Sequence, residues 1–165
     1  MNRSTSEYIA YYMERERHFV GIREQCQKLV EELAKDEGTR NLFMEKPFTV
    51  LAQFDIPLPE KEEHMSLLEQ NLKNVDITFS WKCSGCKITL NVGLAALTVV
   101  ILAALAATAP GEFLIAVGVA QTIALMLDVS ITVVTAALAG LTTGLVVTLE
   151  EFIAFICEKT GFCPA

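Results

Sequence analysis

Apolar positions recur every three or four residues along the first part of the chain. From Ile9 to Leu33 they are separated mostly by charged residues, which is the pattern of an amphipathic helix. Ser4 and Glu7 fit a capping box at its start, and Gly38 suits the position just past its end. The pattern predicts a helix over residues 5–37, kinked near Gly21. We expect its apolar stripe to pack on its own domain, with a dedicated partner groove as the alternative.

Prolines divide the segment that follows. A short helix over 39–45 should end before Pro47, because a residue that precedes proline disfavours helical geometry. Pro47 suits the first turn of a further helix over 48–54. Residues 56–59 contain two prolines and are expected to be extended.

Apolar and polar residues alternate in the last part of the front half. Met65 and Leu67 alternate with polar neighbours, and the alternation returns from 75 to 81, which is a strand pattern. With a turn at 69–74, this predicts a small β-hairpin. Residues 1–80 are therefore expected to be a compact α+β module, with helices first and the hairpin last.

The second half of the chain is apolar nearly throughout. Between Ile88 and Leu149 the only charged residues are Glu112 and Asp128. The uncharged lengths favour helix over strand and predict an all-α hydrophobic bundle. Its three main helices are expected at 88–109, 112–127 and 130–158.

A water-exposed bundle of such helices would carry more apolar surface than monomers tolerate. About 20 apolar residues also suffice to cross a bilayer. We therefore expect the tail to lie in lipid, or to be covered by self-oligomerisation or a partner. Glu112 and Asp128 fall at predicted helix ends, where interfacial capping is expected; a polar pore lining is the alternative.

The distribution of charge divides the chain of 165 residues in two. Most charged residues lie in 1–80, whereas 81–165 form the hydrophobic tail. The net charge of −7 and the absence of a basic run argue against a nucleic-acid partner. No signal-peptide pattern opens the chain. We expect synthesis in the cytoplasm and export or membrane insertion of the tail by another route.

The front module resembles a known family in the spacing of eight residues. They are Asp36, Arg40, Leu42, Pro47, Leu51, Ile56, Leu58 and Pro59. Their pattern resembles the nitrile hydratase-like leader peptide family, whose members look like the N-terminal part of the nitrile hydratase α chain. The likeness covers about residues 22–80. Thr39 stands where Phe is usual, Asp55 replaces a turn glycine, and no double-glycine cleavage site ends the module.

This resemblance implies a ribosomally made precursor. A maturation enzyme and a peptidase or exporter would dock on the leader, and the eight positions are the candidate recognition residues. The tail, from about Trp81 or Cys83 onward, would be a bacteriocin-like, membrane-active core peptide. Two alternatives stay open. The first is an intact small membrane protein with a cytosolic binding domain, and the second is a soluble oligomer that buries its tails.

Four of the five cysteines bracket the tail. They are Cys83, Cys86, Cys157 and Cys163. Disulfides are one possibility, either 83–86 with 157–163 or long-range links that need the chain to turn back near 149–157. A zinc site and unmodified thiols are others. The leader resemblance suggests thioether or heterocycle formation instead, with nearby dehydration candidates Ser84, Thr89 and Thr160.

Enzymatic chemistry has little support in the sequence. Cys26 lies on the first apolar stripe and is expected to be a buried small hydrophobe. Neither His18 nor His64 lies near a cysteine or a nucleophile motif, and no phosphate-binding or hydrolase motif occurs. The metal loop of nitrile hydratase has a third cysteine where this chain has Ile88, so we reject that activity. We predict no catalytic residue, metal or cofactor.

Overall fold

The structure is a computed structural model that describes residues 5–77, 80–141, 146 and 148–164, with their side chains except those of 5–15 and 96. It is 77% helical, and no β-strand occurs among the residues described. The helices in chain order are α1 (Thr5–Lys35), α2 (Glu37–Glu45), α3 (Pro47–Gln53), α4 (Glu62–Lys73), α5 (Trp81–Leu94), α6 (Thr98–Leu105), α7 (Pro110–Ala116), α8 (Val119–Leu127), α9 (Ile131–Ala139) and α10 (Leu149–Lys159). A short 3₁₀ segment, Ala95–Leu97, joins α5 to α6.

The first three helices lie close to their predicted positions. α1 runs through Gly21 as one helix, and α2 and α3 begin or end within two residues of the predicted bounds. Pro47 occupies the first turn of α3, as expected. Gly38 does not end α1. Instead Asp36 caps the start of α2, and Gly38 lies within that helix.

The predicted β-hairpin is wrong, and with it the α+β class of the front module. Met65 and Leu67 lie in α4, and the segment predicted as a turn forms the second half of this helix. Leu68 and Leu72 are buried one helical turn apart, and Lys73 pairs with Glu69 at 3.0 Å. These four-residue spacings favour a helix, and they outweigh the short alternation.

The second predicted strand is also not observed. Val75 and Ile77 are buried in the segment between α4 and α5, and Trp81 begins α5. Phe79 lies outside the described residues. The described part of the front half therefore consists of helices and the segments that connect them, without a strand.

The tail is helical as predicted, but its helices are shorter and more numerous than three. The first predicted helix bends between α5 and α6, and the second is divided at Gly118, whose φ is 84°. The third is divided into α9 and α10. Because these segments are apolar on nearly every side, hydrophobic periodicity gives no signal for where a helix stops.

The apolar helices of the tail are individually short. Among the described residues, no single helix has both the length and the hydropathy needed to cross a bilayer. Two bent pairs reach that length and composition, α5 with α6 at 104° and α7 with α8 at 78°.

The front half and the tail share one core. Buried apolar side chains from both parts belong to the same cluster, and α1 packs against α5 and α8. The division at residue 80 stays a prediction, because the two parts are packed together in this structure.

Candidate functional site: the cross-linked tail and the helix that covers it

Two disulfide-bonded pairs join the start of the tail to its end. Cys83 pairs with Cys163, their Cα atoms 4.5 Å apart, and Cys86 pairs with Cys157 at 5.9 Å. They close loops with sequence separations of 80 and 71 residues. Closing a loop of this length stabilises the folded state by about 4 kcal/mol in the chain-entropy picture.

The local structure explains how the four cysteines meet. Ser80 caps α5 by accepting a hydrogen bond from the Cys83 N–H. Cys83 and Cys86 are three residues apart in α5 and so share a face of the helix. At the other end, Gly161 has a φ of 87° and reverses the chain after α10. This reversal brings Cys163 back, and its N–H donates to the Cys157 carbonyl at 2.9 Å.

The cysteine pairing settles one of the alternatives left open by the sequence. The links are long-range, and the short-range pairing of 83 with 86 and 157 with 163 is wrong. The chain turns back through α10, close to the predicted segment. Among the dehydration candidates, Ser84 donates to the Asp76 carbonyl at 2.7 Å and Thr160 to the Ile156 carbonyl at 2.6 Å. Thr89 is buried beside Cys26.

Cys26 is the fifth cysteine and is not paired. It is fully buried in α1, as expected for a small hydrophobe. Burial raises the pKa of the Cys26 thiol to about 12, against the opposing effect of a hydrogen bond with Thr89. The thiol is therefore neutral and a poor nucleophile at ordinary pH, and no disulfide joins the front half to the tail.

α1 covers part of the tail with a continuous apolar stripe. Its buried positions recur every three or four residues: Phe19, Ile22, Cys26, Leu29 and Leu33. The helix approaches α5 closely at Gly85, where an added Cβ would lie 3.6 Å from Val30. The tail therefore supplies part of the apolar surface on which this stripe packs.

Arg23 adds a polar contact between α1 and the tail. Its Nη1 donates to the Leu125 carbonyl at 2.9 Å and lies 3.4 Å from Oδ1 of Asp128. The last turn of a helix leaves carbonyl groups unpaired, and a cationic side chain there is favourable. Arg23 therefore caps the C-terminus of α8 from another part of the chain. No sequence signal could have predicted this contact, because 102 residues separate the partners.

Arg23 lines two open grooves between α1 and the tail. One, of about 400 Å³, is lined by residues of α1 and α8 that include Gln121 and Thr122. The other, of about 510 Å³, runs between α1, α5 and the end of α8 and includes Lys82 and Phe162. The stripe and Arg23 thus hold α1 on the tail, and the two open grooves run beside this contact.

The eight residues that carry the resemblance to the leader family differ in how deeply they are buried. Pro47, Leu51 and Ile56 are buried and support the packing of α2 and α3. Arg40, Leu42, Leu58 and Pro59 are half-buried, and Asp36 is exposed. A docking enzyme could reach Asp36 and the half-buried members, whereas the three buried ones would act through the fold.

Two of the eight make specific polar contacts. Asp36 accepts hydrogen bonds from the Thr39 hydroxyl at 2.7 Å and from the Gly38 N–H at 3.1 Å. These bonds, the hydroxyl first, hold the pKa of the Asp36 carboxyl below its usual range. Arg40 donates to the Leu33 carbonyl at 2.9 Å and so joins α2 to the end of α1.

Asp55, which departs from the family pattern, adopts a backbone conformation typical of glycine. Its φ of 57° lies in the left-handed region. Asp enters this region more readily than most residues, although less readily than Gly. The turn that glycine makes in the family pattern is therefore compatible with the aspartate here.

No family model, no curated protein and no solved structure matches this chain.

Proposed function

We propose that the chain is the precursor of a membrane-active, bacteriocin-like peptide. The front half is the carrier, on which a maturation enzyme and a peptidase or exporter dock, and the tail from about residue 81 is the cargo. No catalytic residue takes part. The observation that carries this proposal is the pattern of cross-links, since both disulfides connect the tail to itself.

The cross-links would make the tail a self-contained product. A cut in the segment between α4 and α5 would leave α5 to α10 joined at both ends, with Cys26 remaining on the carrier. Asp76, in that segment, is exposed. A single protease cut there would therefore separate carrier from cargo, because no disulfide joins the two parts.

Release would also uncover apolar surface. In the intact chain, the stripe of α1 lies over α5 and α8. Removal of α1 would expose part of these helices to water, and burial in lipid would recover about 25 cal/mol for each Å² of apolar area. The precursor would thus be less active at membranes than its product.

Mass spectrometry of producing cells and their medium tests the proposal. We expect a C-terminal fragment beginning between α4 and α5, with a mass about 4 Da below that of the reduced fragment, since each disulfide removes two hydrogens. Detection of only the intact, unmodified chain would contradict it. Intact chain in the membrane fraction would favour a small membrane protein, the possibility to which the two bent helix pairs point.

A further inference from the structure

The helix pair α7 and α8 lies between the two isolated carboxylates of the tail. Glu112 lies in the first turn of α7, and Asp128 is the C-cap residue of α8. Residues 113–127, which lie between them, include no charged side chain. Together the two helices have the length and composition of a membrane-crossing segment, but they meet at 78°.

The bend depends on one backbone conformation. Gly118 has φ 84° and ψ 11°, in the left-handed region, whereas its neighbour Val117 lies near the helical region with φ −88° and ψ 5°. Glycine occupies left- and right-handed conformations about equally well. A change at Gly118, with small adjustments beside it, would let α7 continue into α8 as one helix.

α7 packs against two helices that, like α7, expose large apolar side chains. It contacts both α6 and α9. Each of the three helices, with its cap residue, exposes two large apolar side chains. They are Val99 and Leu102 of α6, Phe113 and Val117 of α7, and Ile131 and Val133 of α9. Val99 is the most exposed of them, at 63%. No charged residue lies within α6 or α9, so this surface suits a lipid bilayer better than a polar partner.

We propose that α7 and α8 form the part of the tail that enters lipid, with Gly118 as its hinge. This inference rests on the proposed function. In water Gly118 keeps the left-handed bend, and in lipid it adopts the right-handed conformation, because an apolar medium penalises backbone groups left unpaired at a break. The joined helix would be about 27 Å long, at the short end of the lengths that cross a bilayer. Glu112 and Asp128 would then lie at its two interfaces.

Two substitutions at Gly118 should shift the lipid concentration for half-maximal insertion in opposite directions. Alanine disfavours the left-handed bend and favours a continuous helix, so Gly118→Ala should lower the lipid concentration for half-maximal insertion by about tenfold. Asparagine tolerates the left-handed region and places an amide in the apolar segment, so Gly118→Asn should raise that concentration. A simple folding defect would move both variants in the same direction.

Gly161→Ala is the matched control. Gly161 has a φ of 87°, close to that of Gly118, and a Cβ there meets nothing within 4 Å. The substitution carries the same left-handed penalty at a site outside α7 and α8. It should leave lipid insertion unchanged while lowering stability in water as Gly118→Ala does.

The experiment uses full-length oxidised protein, cut in solution at a protease site placed beside Asp76. Insertion into phosphatidylcholine vesicles is followed by the fluorescence of a tryptophan that replaces exposed Val117, in a Trp81→Phe background. Neutral lipid is chosen because the chain carries a net charge of −7. We expect quenching by bromine near the ends of the acyl chains, since residue 117 would lie near the middle of the joined helix.

The possible results separate the hinge from the proposed function. Shallow quenching, or equal shifts for Gly118→Ala and Gly161→Ala, would overturn the hinge even if the vesicles release an entrapped dye. A stable dimer on size-exclusion chromatography that fails to bind vesicles would show that a second copy covers the surface, and would overturn the lipid assignment. Absence of dye release by every cut protein, with a cleaved tail still found in producing cells, would overturn membrane action and leave the precursor relationship standing.

Discussion

The front half and the tail reach a helical structure by different means. Side-chain caps occur in both parts, Asp36 on α2 and Ser80 on α5, but the front helices also carry charged residues between their apolar positions, and Lys73 pairs with Glu69 along α4. The tail has few charges and is held by two cross-links and by close contacts at glycines. Local sequence therefore determines much of the front half, whereas long-range contacts determine the arrangement of the tail.

Among the changes that test this contrast, removal of a cross-link should lower the free energy of unfolding most. The double variant Cys86→Ala/Cys157→Ala should lower the free energy of unfolding by about 2.5 kcal/mol, because Cys83–Cys163 still closes the long loop and the lost link had closed only about ten further residues of chain. Urea unfolding under non-reducing conditions measures the change. Cys26→Ala, in the front half, is the control and should cost only about 1 kcal/mol. Equal losses for the two variants would contradict the contrast.

A glycine-to-alanine substitution should change the stability of the protein in opposite directions in the two regions. A Cβ at Gly111 would overlap the Leu138 carbonyl oxygen, where α7 meets α9, whereas a Cβ at Gly21 in α1 meets nothing within 4 Å. Gly111→Ala should cost about 2 kcal/mol because backbone must shift. Gly21→Ala should gain up to about 1 kcal/mol from helix propensity. Thermal unfolding of both variants checks this, and a loss at both sites would show that α1 tolerates change no better than the tail.

The contact between the two regions should be worth less than a cross-link. Arg23→Ala removes the charged donor to the Leu125 carbonyl, and we expect a loss of about 1.5 kcal/mol. Asp128→Asn should cost less than about 1 kcal/mol, since the Asp128 side chain is 75% exposed. Arg17→Ala, at an exposed position of the same helix, is the matched control and should change the urea midpoint little. An effect of Arg17→Ala as large as that of Arg23→Ala would argue against a specific cap on α8.

The smallest expected effect concerns the pH dependence of the front half. Because the folded-state pKa of Asp36 lies below its ordinary value of 3.8, its carboxylate stabilises the folded protein above that value. This contribution is lost as the pH falls through the folded-state pKa. Asp36→Asn should therefore reduce the difference in urea midpoint between pH 6 and pH 3. An unchanged difference would show that other groups carry the acid sensitivity.

The helices of the front half could be predicted where apolar spacing and end signals agreed. α1 has a long stripe, and Pro47 fixes the start of α3. α4 was missed because Met65 and Leu67 alternate over a short window, although Leu68 and Leu72 carry the helical spacing that decided the structure. A window of four or five residues fits either period.

In the tail, composition predicted helix, and the predicted breaks near residues 110 and 128 agree with the start of α7 and the end of α8; the breaks between α5 and α6, at Gly118 and between α9 and α10 were missed. The bend at Gly118 depends on a glycine conformation that the sequence permits but does not require. The cysteines marked the edges of the tail, but their pairing depended on the path of α10. The Arg23 contact joins residues far apart along the chain, so local patterns contain no information about it.

The central claim, that the tail is a separable cargo, is tested most directly by cutting the oxidised chain beside Asp76. We predict that the tail then separates from the front half on size-exclusion chromatography with vesicles present, stays helical by circular dichroism, and releases dye from phosphatidylcholine vesicles far more strongly than the uncut protein. The two cross-links limit how far the tail can unfold after the cut, and loss of α1 exposes the apolar surface of α5 and α8 that it covered. A cut protein whose halves stay together on vesicles, or whose dye release equals that of the uncut chain, would contradict the claim.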